Sequence, residues 1–415
     1  MRHRWLAGIF AVSVVWAVLV GAFSSDSVHR LWGVMAACGY ALALLAVIAI
    51  RSARASDVAL GLSFVGALIA PLAWMAAKGL EQPEVWVVAR SGSMLIHQGT
   101  PYTSAAALAA TQNPNAYNPY LPVMALFGLP RALFDLGLLT DPRIWFGVVF
   151  LIVFWLALRR GGAQDPGRWT VLVAGSPVIA FELAVGGTDV PMVGFLCLGF
   201  ALLYQRRDSA LVSSAVLAGL ALGIASAMKA TAWPALAVAF VLLLVRDGWK
   251  AARAFTLTAL AVVAVCVGPF FAIDPKTVFD NTIKFPLGLA SVRSAASSPL
   301  LGHIISATWP KGGHTVVVVL LVLAGVAVAL SLVFRPPRTV SRAVVLLAGA
   351  MTLMFLLAPS TRFGYFIYPA TLAIWLFAVR GGRLDPGGGV TPDPGEPAAS
   401  SNTTVPTIAA ERRAG

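Results

Sequence analysis

The side chains in this sequence that could do chemistry are few, and they stand at the margins of long apolar runs. They are Glu81, Glu84, Arg90, His97, Glu182, Asp189, Lys229, Arg293 and Arg362. An ionisable group at membrane depth is costly, so each is by default a candidate functional residue. Glu84 follows Pro83, the preferred order at a helix start. It fits a carboxylate favoured by the helix dipole or a general base acting on a hydroxyl. Asp189, in the turn GGTDVP, fits a cap for the next helix or a site residue. Lys229 in AMKATAW and Arg362 in STRFGYFIYP each fit a cation snorkelling to headgroups or one that holds a phosphate. The guanidinium, with Tyr365 beside it, suits such a clamp. Glu182 fits an ion pair with a neighbour, and His97, His303 and His314 read as polar loop residues.

Familiar signatures of other chemistries are absent. There is no Walker A sequence and no G-x-G-x-x-G after a strand, and neither H-E-x-x-H nor G-x-S-x-G occurs. An ATP-driven pump and a membrane metalloprotease are therefore poorly supported. Cys38, Cys197 and Cys266 sit in apolar runs without paired spacing, which points to neither a disulfide framework nor a metal site. No cofactor is expected.

The elements that must position these residues are membrane helices. Of the 415 residues, 59% are hydrophobic and 11% charged, with a mean hydropathy of +0.83; a soluble domain carries roughly a quarter charged residues. The chain reads as an all-α, polytopic integral membrane protein. With a span needing about twenty apolar residues, about twelve transmembrane helices are expected. They lie near 5–23, 31–50, 57–78, 144–159, 169–185, 190–205, 210–227, 231–246, 254–273, 314–334, 341–358 and 364–379. Residues 1–23 fit a signal peptide or a retained anchor, and the anchor is favoured.

Charge tests this parsing. With the N-terminus inside, the connections RSARAS, RRGGAQDPGRW, YQRRDSA, RDGWKAARA, FRPPRTVSR and RGGRLD all fall in the cytoplasm and are all basic, as the positive-inside rule requires. The net charge of +13 is thereby explained by topology, and no nucleic-acid partner is expected. The connections 79–142, 186–189, 228–230, 274–313 and 359–364 then face the extracytoplasmic side. Both termini are cytoplasmic, and the Pro/Gly-rich tail is expected to be disordered. The apolar segment Pro119–Phe134, charged at its end by Arg131 and Asp135, is expected to lie along the interface as an amphipathic helix. A polar loop as long as 79–142 in such a chain is usually functional.

The run from Glu84 through Gly99 to Thr100-Pro101-Tyr102, followed by Tyr117-Asn118-Pro119-Tyr120-Leu121-Pro122, resembles the first extracytoplasmic loop of glycosyltransferase family 87. These are GT-C-type membrane enzymes typified by actinobacterial mannosyltransferases. Ser176-Pro177, the turn at Asp189, the Lys229 segment and Arg362 with Tyr365 follow in the family's order. The resemblance spans roughly residues 57–380. It implies a GT-C-like catalytic domain over 57–380, accessory helices over 1–56 and a cytoplasmic tail over 381–415. It also implies inverting transfer of a sugar, mannose foremost, from a polyprenyl-phosphate donor to a cell-envelope glycolipid or glycan on the extracytoplasmic side of the cell membrane. Glu84 would be the base, where the family has an aspartate. Asp189, Lys229, Arg362, Tyr365, Tyr102 and Tyr120 would bind substrates, with membrane lipids as the surroundings. The alternatives are a lipid or glycan transporter or flippase, and a family member that binds glycolipid without catalysis.

Overall fold

The computed structural model describes residues 4–52, 54–134, 136–204, 211–292, 296–309 and 311–381. Arg293, Asp135 and the tail from residue 382, all named above, lie outside the described residues. Among these, the regular elements are all helical, and one isolated bridge joins Ser297 to Thr361.

Each expected apolar run forms helix. The long ones are Arg4–Phe23, Ser27–Ala49, Ala55–Ala77, Pro142–Gly161, Leu211–Met228, Trp249–Ile273, Gly313–Phe334 and Val340–Leu357. Among the described residues these eight are long and apolar enough to cross a membrane, and the count reaches nine if the pair Pro166–Ala174 and Pro177–Val185 is one span bent by 57°. The expected number of about twelve is not reached by length and composition. Val190–Tyr204, Ala230–Arg246 and Phe363–Val379 are apolar but shorter. The run 169–185 breaks because Pro177 lacks an N–H and starts a new helix. Pro119–Phe134 is not one helix either. A 3₁₀ segment, Pro122–Gly128, passes into a short helix, Leu129–Phe134.

Close crossings set how the helices stack. Gly39 and Gly66 meet where Ser27–Ala49 crosses Ala55–Ala77, and a Cβ on either would fall within 2.6 Å of the other's backbone. Residues 64–69 in that second helix form a π-helical turn. Gly92 and Gly128 make a second such crossing, between Pro83–Gln98 and the 3₁₀ segment. Leu6, Phe10, Trp32 and Tyr40 of the first two helices are buried in the same apolar core as Phe150, Phe200, Leu242, Leu347 and Trp375. Trp32 Nε1–H donates to Ala67 O at 2.9 Å.

The connections sort into two groups. The expected extracytoplasmic ones converge: Gln82 N–H bonds Val185 O (2.8 Å), Leu121 N–H bonds Met228 O (2.8 Å), and Ser298 N–H bonds Thr361 O (2.9 Å). Ala105 N–H bonds Thr277 Oγ1 at 2.9 Å, and Asn118 N–H bonds Asn281 Oδ1 at 2.8 Å. Among the basic connections, Arg168 pairs with Asp57 at 2.9 Å and Arg246 donates to Leu203 O at 2.9 Å.

Candidate active site

Where the first group of connections meets, four of the predicted charges form two ion pairs. Pro83 occupies the first turn of Pro83–Gln98 and places Glu84 beside it. Glu84 Oε1 pairs with Arg362 Nη1, and Oε2 is buried without a hydrogen-bond partner among the described residues. Arg362 is extended, just before the 3₁₀ turn Phe363–Phe366. Its neighbour Thr361 is anchored on three sides, by Ala296 O (3.1 Å), by Ser298 N–H and by Phe355 O (2.9 Å). Arg362 is thus held by structure on both sides, with its side chain 29% exposed. A snorkelling cation would point away from a carboxylate rather than onto one.

The second pair is more deeply set. Lys229 breaks the helix path after Leu211–Met228, and its Nζ donates to Asp189 Oδ1 at 2.6 Å. Tyr368 Oη donates to the same oxygen at 2.6 Å and stands 2.9 Å from Thr231 Oγ1. The Asp189 carboxylate is therefore engaged by two side chains through Oδ1. Lys229 is 8% exposed and lies 4.8 Å from the Tyr365 ring centroid and 5.7 Å from that of Tyr120. A cation so enclosed is no headgroup snorkeller. An ammonium has three N–H donors, so two remain beyond the Asp189 bond.

Tyr120 is placed by its loop: its N–H bonds Asn118 Oδ1 at 3.1 Å, and its carbonyl accepts from Tyr102 Oη at 3.0 Å. Thr188 Oγ1 lies 3.3 Å from Tyr120 Oη. Burial pushes both phenols upward in pKa, so they stay neutral. Tyr102 stands behind the wall rather than on it, and reaches the site through Tyr120.

A cavity of about 670 Å³ joins these groups. Glu84, Tyr117, Tyr120, Lys229, Arg362 and Tyr365 line its polar part. Its apolar wall includes Leu321, Ala324, Gly325, Val328 and Leu332 of Gly313–Phe334, with Met351 and Met354 of Val340–Leu357 facing them. At 1.5 Å per residue, Leu321 to Leu332 makes a wall about 17 Å long. The cavity is thus an elongated apolar groove with charge at one end.

Other predicted residues serve elsewhere. Glu81 sits 3.5 Å from Arg143; burial pushes its carboxyl up, against the pull of that arginine. Arg90 donates to Asn115 O (2.8 Å) and Ala116 O (2.9 Å) and covers the Trp86 ring, so it clamps the loop. His97 bonds Ser93 O, His303 bonds Pro359 O, and His314 bonds Leu287 O. Glu182 has no side-chain ion pair or hydrogen bond among the described residues. Its carboxylate lies against Gly364, where any Cβ would overlap it. The expected pairing of Glu182 is therefore not found among the described residues; the cation that acts on it, Lys229, is bonded to Asp189. Among the described residues no group of three His, Cys, Asp or Glu side chains could hold a metal ion.

Sequence reasoning missed Arg143, Asp141, Asn118, Asn281 and Tyr368. Arg143 is fully buried. It donates to Asp141 through Nε (3.0 Å) and Nη2 (2.9 Å), and through Nη1 to Leu80 O (2.9 Å) and Ala184 O (2.7 Å). The usable signal was Asp-Pro-Arg at the start of a span, a charge pair where a helix must begin.

Among the described residues the chain is thus an all-helical bundle of membrane-length helices with a charged pocket opening into an apolar groove. The profile of glycosyltransferase family 87 matches residues 118–359, more than half of the chain. The chain belongs to glycosyltransferase family 87. Tyr120, Asp189 and Lys229 fall inside the matched segment, Arg362 and Tyr365 just beyond it, and Glu84 and Tyr102 before it. Among solved structures it is similar to ArnT from Cupriavidus metallidurans bound to undecaprenyl phosphate, with a TM-score of 0.50 and 17% identity over 79% of this chain and 60% of that one. The apo state of the same protein aligns over the same shares at 18% identity with a TM-score of 0.46. The chain spans about 60% of that relative's length, and the likeness concerns the fold. No curated protein sequence matches it.

Proposed function

We propose that this glycosyltransferase moves a sugar from a polyprenyl-phosphate donor to a hydroxyl of a cell-envelope glycolipid or glycan on the extracytoplasmic side, with inversion. The observation that carries the reading is the cavity: a charged end continuous with a long apolar groove, which suits a phosphate bearing an isoprenoid chain. Glu84 accepts the proton of the acceptor hydroxyl as its oxygen bonds the anomeric carbon. The bond from that carbon to the phosphate oxygen breaks, and polyprenyl phosphate leaves with the electron pair. Lys229 and Arg362 stabilise the charge that builds on the departing phosphate. Arg362 does so with the N–H groups left free by Glu84, since a guanidinium carries five donors. Asp189 keeps Lys229 in place, Tyr120 and Tyr365 wall the sugar, and Tyr102 fixes Tyr120. The catalytic unit is residues 57–380 in this reading, and mannose is the sugar proposed from the family resemblance.

The groove supplies a direct test. Gly325 lines it, and a Cβ there would meet open space. Gly325→Trp should therefore fold as the parent does and exclude part of the isoprenoid chain. At about 0.8 kcal/mol per buried CH₂, excluding two or more lowers affinity for undecaprenyl phosphate about tenfold or more. Unchanged binding of that lipid to the purified variant would remove the groove from the account.

Sidedness is testable with Gln98, which is exposed at the end of Pro83–Gln98. With Cys38 replaced by serine, Gln98→Cys is expected to react with a membrane-impermeant thiol reagent added outside intact cells. Labelling only after the cytoplasm is opened would reverse the orientation.

A further inference from the structure

The transfer reaction as described gives the first two helices no part, yet one of their side chains reaches the segment that presents Glu84. His29, on Ser27–Ala49, accepts a hydrogen bond at Nε2 from the Gln82 side-chain amide. That bond puts the ring proton on Nδ1, which faces Ser24 Oγ at 3.2 Å. Asp26 Oδ2 stands 3.8 Å from Nε2. Edge-on packing against Phe181, at 4.9 Å and 71°, fixes the ring plane; Trp16 and Trp32 pack on the same phenylalanine at 5.3 and 5.1 Å.

Gln82 is the hinge of this contact. Its N–H bonds Val185 O at 2.8 Å, and its side chain lies so close to Gly186 that a Cβ there would fall 2.8 Å from Gln82 Oε1. The next residue is Pro83, whose ring fixes φ, and then comes Glu84. Orientation set at Gln82 therefore passes through a stiff residue into the first helical turn. Glu84 Oε1 must meet Arg362 there, leaving Oε2 free for the acceptor.

We infer that His29 is a positioning residue for transfer, acting through Gln82 on the Glu84 carboxylate. The first two helices are then part of the working site and more than a membrane anchor. The inference rests on the proposed role of Glu84. A misplacement of about 1 Å can cost on the order of 10²-fold in rate, so the loss should fall on turnover rather than on donor binding.

The test uses the full chain in lipid vesicles with a polyprenyl-phosphate-linked hexose as donor. His29→Ala and Gln82→Ala should each lower kcat about 10- to 100-fold, with donor KM unchanged. The double variant should be no worse than either single one, and His29→Gln, which keeps an acceptor, should recover much of the loss. Hydrogen exchange over residues 79–84 should rise in His29→Ala. Val47→Ala trims a buried side chain near the other end of the same helix, about 27 Å along it from His29, so it should keep the parent kcat. Parent-like kcat in His29→Ala beside an inactive Glu84→Gln overturns the inference and leaves the functional reading standing. Multiplying losses, or an equal loss in Val47→Ala, also overturn it. If the parent itself transfers no sugar, the functional reading fails separately; unchanged exchange in His29→Ala then overturns the inference on its own.

Discussion

Glu84→Gln is expected to lower sugar transfer by about 10²- to 10⁴-fold, the span attributed to a positioned general base, with normal membrane insertion. Glutamine keeps the shape and one acceptor for Arg362 but takes up no proton from the acceptor hydroxyl. The expectation follows from placement: the carboxylate lines the cavity, one oxygen meets Arg362, and the other has no hydrogen-bond partner among the described residues. Glu84→Asp is a finer probe, since the family resemblance puts an aspartate at this position. Shortening the side chain by about 1.5 Å, one carbon–carbon bond, draws the carboxylate back from Arg362. A partial loss, smaller than that of glutamine, is expected. Transfer by Glu84→Gln at the parent rate, measured on membranes with matched protein content, would end the assignment of this residue as base.

The largest stability effect is expected at Arg143. Its guanidinium is buried and satisfies the Asp141 carboxylate together with the carbonyls of Leu80 and Ala184. Arg143→Ala leaves a buried carboxylate without its partner, a change that typically costs about 3–5 kcal/mol. The thermal midpoint in detergent should fall sharply and the yield of folded protein with it. Arg143→Lys should restore little, because an ammonium cannot reproduce the fork that reaches one carboxylate and two carbonyls. A parent-like midpoint for Arg143→Ala would show that the Leu80–Ala184 seam is held by something else. The seam matters to the reaction because Leu80 leads into Gln82 and Glu84 while Ala184 follows Glu182.

How much of this was legible in the sequence depends on the residue. The helices were plain, because each apolar run is bounded by Gly, Pro or charge, and the bend within 169–185 falls at Ser176-Pro177. Glu84, Asp189, Lys229 and Arg362 stood out because an isolated charge in an apolar chain is conspicuous. Their pairing was not legible, since Glu84 and Arg362 belong to different loops far apart in the chain and no pattern states a distance. The sequence left Asp189 open between a cap and a site residue for a related reason: the lysine and tyrosine that reach its carboxylate come from distant helices. Tyr368 was hidden by its apolar neighbours, and Asn118, though part of the run from Tyr117 to Pro122, gave no sign of Asn281 as its partner, since the two lie far apart in the chain. Arg143 was passed over because a cation at a span boundary is what membrane proteins commonly carry.

The central claim is transfer from a lipid phosphate held in the groove between Gly313–Phe334 and Val340–Leu357. The most direct measurement supplies the purified full chain, in vesicles, with a polyprenyl-phosphate-linked radiolabelled hexose and an extract of cell-envelope lipids. The account predicts release of free polyprenyl phosphate matched by label on one glycolipid or glycan, with the anomeric configuration inverted. No release by the parent chain, or release and labelling that persist unchanged in Glu84→Gln, would contradict it.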